Sequence, residues 1–246
     1  MKIPDLQKPN KPWADTTAHI TGLIDNAITN RNEKRREYLG GSRIGVECMR
    51  ALGFEYHGYP NPIDGKLQRI FDMGHYLEPM MVQWLEEAGF KMLHTGDDQL
   101  GFSIANGKIR GHLDGVIIDG PDVPGMSYPC LLEVKTMNDK QFNITLNKGC
   151  EEAKPVYYVQ QQIYMAYAPD HELWRNPSLF AAVNKNDSSP MFELVAFNQN
   201  AAQDNSDKAF AVVQAQHPED LPRISDDPSF FKCKFCSYHK SCFSNK

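Results

Sequence analysis

The chain has 246 residues, enough for one large domain, or a domain with an appendage, around a sizeable core. Apolar residues at 41% and charged residues at 23% belong to a folded globular protein, and a formal net charge of -5 excludes a globally basic nucleic-acid coat while allowing a basic groove on an acidic surface. No stretch approaches the ~18 uninterrupted apolar residues of a membrane span, and the start "MKIPDLQKPNKPWADTT" lacks the apolar core of a signal peptide, so a cytoplasmic protein with no membrane partner is expected.

Past the Pro-rich start, Asp15 or Thr16 is placed to cap a helix in which Ile20, Leu23, Ile24, Ala27 and Ile28 recur at helical spacing. It runs into the basic stretch "NRNEKRREYLGG", either a solvated helix end or an arm for phosphates. "GSRIGVECMRALGFEYHG" reads as a loop leading into a short helix with Cys48 and Arg50 on it. Leu67, Ile70, Phe71, Leu77, Met81, Trp84 and Leu85 predict a long amphipathic helix that stops near Gly89. "GFSIANGKIRGHLDGVII" predicts two extended runs joined at the turn pair Asn106-Gly107. After the loop "DGPDVPGMSYP", the apolar run "CLLEVKTM" predicts a third strand, central in its sheet. "NDKQFNITLNKG" reads as helix, and Pro155 opens the helix "PVYYVQQQIYMAYA" at its first position. "SLFAAVNKND" and "MFELVAFN" predict a second hairpin and "AAQDNSDKAFAVVQAQ" a closing helix. The order predicts an α/β fold, a mixed central β-sheet flanked by helices.

Within the central strand, side chains alternate, so Glu133 and Lys135 share a face while Val134 points to the other. Burying either charge costs several kcal/mol unless it is compensated, so the two form a strand-borne ion pair or line a site. Asp114, in "GHLDG" on the preceding strand, is placed beside Glu133 across the sheet. Two carboxylates with the Val134 carbonyl between them offer hard oxygen ligands suited to Mg2+ or Mn2+. A neighbouring lysine can orient or deprotonate water and stabilise charge on a phosphate, an arrangement suited to phosphodiester hydrolysis.

"GHLDG" followed by "LLEVK" resembles the PD-(D/E)xK nuclease superfamily, with Leu113-Asp114 standing for the Pro-Asp of that name as in its RecB-like branch. The resemblance implies a restriction-endonuclease-like core in which Asp114 and Glu133 hold metal and Lys135 is the catalytic lysine. "FDMGHYLEPM" sets Gly74 four residues before Glu78, similar to the helix that carries a further metal ligand in lambda-exonuclease-like members. His75 shares the helix face of Glu78, and either could reach the metal. "YVQQQIYMAY" supplies Gln160 and Tyr164, similar to the Gln and Tyr, four apart, that hold substrate phosphate in these branches. Three adjacent glutamines leave the choice among Gln160, Gln161 and Gln162 open.

Six cysteines in a reducing compartment point to metal or catalysis rather than to disulfides. "FFKCKFCSYHKSCF" places Cys233, Cys236 and Cys242 in a C-x2-C-x5-C array whose soft ligands can converge on one metal centre. A fourth ligand is needed, and Cys48 is the candidate; Cys130 and Cys150 read as isolated structural thiols. An early cysteine joined to such a terminal array resembles the AddB-type iron-sulfur nucleases and the Cas4-like exonucleases, a likeness spanning residues 40 to 243. It implies a [4Fe-4S] cluster that staples the chain's ends without redox catalysis. His239 lies within the array, which keeps structural Zn2+ open as the alternative.

The expected organisation is an N-terminal helical appendage over 1–40, a nuclease core over 41–225 and a Cys-rich segment over 226–246. The expected function is that of a Mg2+- or Mn2+-dependent DNA exonuclease acting at linear ends, single- or double-stranded, in recombination or repair in a bacterium or a phage-infected host. A catalytically silent DNA-end-binding or adaptor protein of a recombination or CRISPR-adaptation complex is the alternative, and a zinc-stapled interaction module is a second. A single-strand annealing or recombination partner, homo-oligomerisation, cleavage polarity and strand preference are left open.

Overall fold

A computed structural model of the chain describes residues 13–31, 35–169 and 176–244. The Pro-rich start through residue 12 and the centre of the basic run, residues 32–34, fall outside the described residues. Contacts divide the chain into two compact units, one made of the described part of Met1–Lys34 with Pro62–Met73, the other of Arg35–Asn61 with Gly74–Lys246.

In the first unit, helix α1 (Trp13–Thr29) is already formed at Trp13, so Asp15 sits in its first turn rather than at its cap. Asp25 of α1 pairs with Arg69, and Arg31 donates to both carboxylate oxygens of Asp72 at 3.0 and 2.9 Å. The expected apolar stripe is helical but not covered: Ile20, Leu23 and Ile24 are exposed, as are Leu67, Ile70 and Phe71.

The second unit opens with β1 (Leu39–Gly40), a 3-10 turn (Gly41–Arg43) and α2 (Met49–Tyr56), with Cys48 at the N-cap rather than on the helix. Helix α3 (Gly65–Glu87) ends where the chain turns at Gly89, whose φ of +97 suits glycine, and Phe90 N–H bonds back to the Leu85 carbonyl. Then come β2 (Lys91–Leu93), β3 (Gly101–Ile104), β4 (Ile109–His112), β5 (Gly115–Asp119) and β6 (Cys130–Met137). Helix α4 (Asp139–Ala153) is capped by Asn138, which accepts from the Gln141 N–H at 2.9 Å, and Pro155 opens α5 (Pro155–Tyr167). The hairpin β7 (Ser178–Asn184) and β8 (Pro190–Val195) follows, then α6 (Gln199–Gln214), capped by Asn198, and the short α7 (Phe231–Lys234) and α8 (His239–Phe243).

The main sheet has the order β2-β5-β6-β7-β8. Strand β6 is central, antiparallel to β5 and parallel to β7, which makes the sheet mixed. All seven residues of β7 are buried, as suits a strand covered on both faces. On one face, Leu132, Val134, Leu179 and Ala181 pack with Met81, Val82 and Leu85 of α3. On the other, Phe180 and Ala182 pack with Phe142 and Cys150, and Glu133 and Lys135 stand in register with these two strand residues.

The hairpin at Asn106-Gly107 forms, but its second run is not one strand. It breaks at Leu113-Asp114, so that β4 joins β1 and β3 in a separate three-stranded sheet while β5 enters the main one. Leu113 is the pivot: its side chain is buried and its N–H bonds to the Leu100 carbonyl at 2.9 Å, ending the β3–β4 ladder. Among the described residues no helix is long and apolar enough to cross a membrane.

Candidate active site

The break places Asp114 just before β5 instead of on a strand. The β5–β6 ladder pairs Gly115 with Leu132, so Asp114 falls opposite Glu133 one step beyond it. Its Oδ2 accepts from the Val134 N–H at 2.8 Å, which fixes the carboxylate against the edge of β6. Glu133 is 2% exposed; its Oε1 accepts from Lys135 Nζ, while its Oε2 is buried without a partner. Lys135 Nζ also donates to the Val134 carbonyl at 3.0 Å and stands 3.8 Å from Asp114 Oδ2.

Glu78 of α3 joins this group through its field. Burial first, and then Asp114, push its carboxyl up to about 7, with Lys135 pulling the other way. Burial and Asp114 likewise push Glu133 up, to about 8, against the pull of Lys135. Burial disfavours the ammonium of Lys135, but Glu133 and Asp114 outweigh it and hold the proton more firmly than usual. Three carboxylates thus face one ammonium. His75, the other residue considered on that helix, is exposed.

The three glutamines separate by their partners. Gln161 accepts from the Ser178 hydroxyl at 2.7 Å, and Gln162 accepts from Asn198 N–H at 2.7 Å and donates to the Ala196 carbonyl at 3.1 Å. Gln161 thereby ties α5 to β7, and Gln162 ties it to the link between β8 and α6. Gln160 instead bonds the Tyr164 hydroxyl, and its Oε1 is buried without a partner. Tyr164 lies in the field of Glu133, Lys135 and Asp114, and burial followed by Glu133 raises its pKa. Two neighbours carry no sequence signal of their own: Gln99, which donates to Glu78 at 3.2 Å, and Tyr157, whose ring centre lies 5.5 Å from Lys135 Nζ.

Tyr164 has its place because two glycines leave room. A Cβ on Gly41 would stand 2.5 Å from Tyr164 Cε1, and one on Gly111 would stand 2.7 Å from the same atom. Gly41→Ala or Gly111→Ala is therefore expected to cost about 1–3 kcal/mol by overpacking. In thermal denaturation each should melt several degrees below wild type, whereas Gly22→Ala, with nothing within 4 Å, should not. Unchanged melting in both variants would mean that the ring yields freely.

The raised carboxyls also set a pH dependence. Each binds its proton more tightly folded than unfolded, so the metal-free protein should lose stability as pH rises from about 5 to about 8. Mg2+ or Mn2+, which binds the ionised form, should offset that loss. Melting temperatures measured across this range with and without metal would contradict the account if the two curves ran parallel.

A second constellation surrounds a cavity of about 800 Å³ lined by Cys48, Cys233, Cys236 and Cys242 together with His239 and Arg223. Burial, and then the fields of Cys48, Cys242 and Cys236, raise the thiol of Cys233. His239 is tied through Nδ1 to the Cys233 carbonyl at 3.0 Å. Cys130 and Cys150 are buried away from this cavity, each pushed up to about 12 chiefly by burial. Among the described residues no group of three or more His, Cys, Asp or Glu side chains is set to hold a single ion.

No protein-family model and no curated protein matches the chain. Among solved structures it is similar to the alkaline exonuclease LHK-Exo from Laribacter hongkongensis, with a TM-score of 0.51 and 18% identity over 73% of this chain and 88% of that one. The same exonuclease in complex with dAMP gives a TM-score of 0.51 and 17% identity over the same shares. At this identity the likeness is one of fold. The molecule has the mixed sheet flanked by helices that the sequence predicted, consistent with a restriction-endonuclease-like nuclease fold.

Proposed function

We propose that the protein is a metal-dependent DNA exonuclease whose active site is built on Asp114, Glu133 and Lys135. The observation that carries this reading is the buried Glu133 Oε2 without a partner, among acids so crowded and buried that Glu133 and Glu78 hold protons more readily than usual when no cation is present. Hard oxygens of this kind suit a divalent cation, which would draw onto one point the three acids that do not converge there in its absence. Asp114, Glu133 and the Val134 carbonyl, with Glu78 beside them, would hold Mg2+ or Mn2+. The cation would polarise the phosphate and lower the pKa of a water molecule. Lys135, held protonated by its two acids, would turn from Glu133 toward the phosphate and stabilise charge developing there. Gln160, with an acceptor to spare, would orient Tyr164 toward a phosphate oxygen.

That the structural neighbour is an exonuclease, also known in complex with dAMP, supports DNA as substrate. Gly74 with Glu78, and Gln160 with Tyr164, support the RecB-like, lambda-type branch. A silent end-binding protein would have no use for a buried Glu133 grouped with two further, partly buried carboxylates. Incubation with linear and covalently closed circular duplexes in Mg2+ separates the readings: consumption of the linear form alone is expected, and binding without loss of either would favour the silent protein.

For the cysteine cavity the proposal is a structural [4Fe-4S] cluster on Cys48, Cys233, Cys236 and Cys242. Four thiols line one cavity and could supply its ligands, and soft sulfur donors suit such a cluster.

A further inference from the structure

Residues 228–246 contain four lysines and no Asp or Glu, in a chain whose formal net charge is -5. Within this segment α7 turns Cys233 inward, only 6% exposed. At about 100° per residue, Phe231 and Phe235, two positions to either side, are carried to the opposite face. They are 72% and 71% exposed, with ring centres 5.3 Å apart in an edge-to-face pair. Lys234 Nζ lies 5.8 Å from the centre of the Phe235 ring. Lys232 is paired with Glu47, whereas Lys234 and Lys240 are exposed and, among the described residues, have no carboxylate within ion-pair distance.

We propose that Phe231 and Phe235 form a stacking platform for the bases of a single-stranded nucleic acid, with Lys234 and Lys240 on its phosphates. The inference rests on the reading of DNA as substrate and names the strand form that this lobe takes. Two adjacent solvent-facing rings offer π faces to bases of any sequence, and the interleaved cations match a backbone of phosphates. A single strand is the form that fits, because the bases of a duplex are already stacked on one another and show no free face along its length. The acid-free composition favours a polyanion over a protein partner for the same rings.

The test uses anaerobically purified full-length protein in EDTA, where no metal-dependent hydrolysis can proceed. Fluorescence anisotropy would compare a labelled oligothymidylate with a hairpin-closed duplex of matched charge. The double variant Phe231→Ala, Phe235→Ala is expected to bind the oligothymidylate about tenfold or more weakly, with duplex affinity and melting temperature unchanged. Tyr at both positions should retain binding and Leu should not, since only the former stacks. Lys234→Gln should reduce the salt dependence by about 0.7 in the log-log slope. Wild-type affinity in the double Ala variant, or equal rescue by Leu and Tyr, would overturn the proposal. So would rings that prove necessary for self-association but not for oligothymidylate binding. If the wild type hydrolyses duplex ends yet fails to bind oligothymidylate, this proposal falls and the nuclease reading stands. Ring-dependent binding with no hydrolysis under any metal would leave the opposite result.

Discussion

Replacing Lys135 by alanine is expected to slow metal-dependent hydrolysis of linear DNA by about 10²–10⁴-fold while leaving the metal bound. The ammonium lies in hydrogen-bond contact with Glu133 and 3.8 Å from Asp114, so its loss removes a positive charge from the phosphate site without removing an oxygen ligand. Metal affinity should even rise, since the cation no longer competes with an ammonium for the same carboxylates. Glu133→Gln should behave differently, losing activity and metal affinity together, because it exchanges an anionic ligand for a neutral amide. Mn2+ titration followed by calorimetry, beside single-turnover hydrolysis, separates the two. Wild-type hydrolysis by Lys135→Ala would show that the pair is only a strand-borne ion bridge.

If the proposed cluster is present, substitution of Cys233 by serine is expected to remove it and to destabilise the protein. The free energy of holding a metal group that the unfolded chain does not preform is folding free energy. A loss of about 3 kcal/mol in a chain of this size lowers the melting temperature by roughly 6–12 °C. DNA binding should fall with it, since Cys233 lies in α7 between Phe231 and Phe235. Cys150→Ala, altering a thiol in the core, should keep its iron. The measurement is iron and inorganic sulfide content of anaerobically purified protein, with its visible absorbance. Stoichiometric zinc without iron in fresh, active protein would contradict the cluster, as would full iron retention by Cys233→Ser.

Much of the frame is legible because burial leaves periodic marks. A largely apolar run signalled β6 as a strand central in its sheet, and strand alternation put Glu133 and Lys135 on one face. The break at Leu113-Asp114 was not legible, because strand periodicity within "KIRGHLDGVII" does not say that the chain changes sheets. Gln160, Gln161 and Gln162 are chemically identical, and only partners 17 to 36 residues away on the β7–β8 side separate them. His75 and Glu78 share a helix face, and the fields of Asp114 and Lys135 single out Glu78. For α1 the periodicity was readable, but it cannot say what, if anything, covers the apolar stripe.

The carboxylates around Lys135 are proposed to hold a divalent cation that serves phosphodiester hydrolysis. End-labelled linear DNA, single- and double-stranded, incubated with wild-type protein and Glu133→Gln in Mg2+, Mn2+ or EDTA, tests it most directly. Wild type is expected to release label from the ends in Mg2+ or Mn2+ and none in EDTA, and the variant none under any condition. Folded wild-type protein that binds these substrates and leaves them intact with every metal would contradict it.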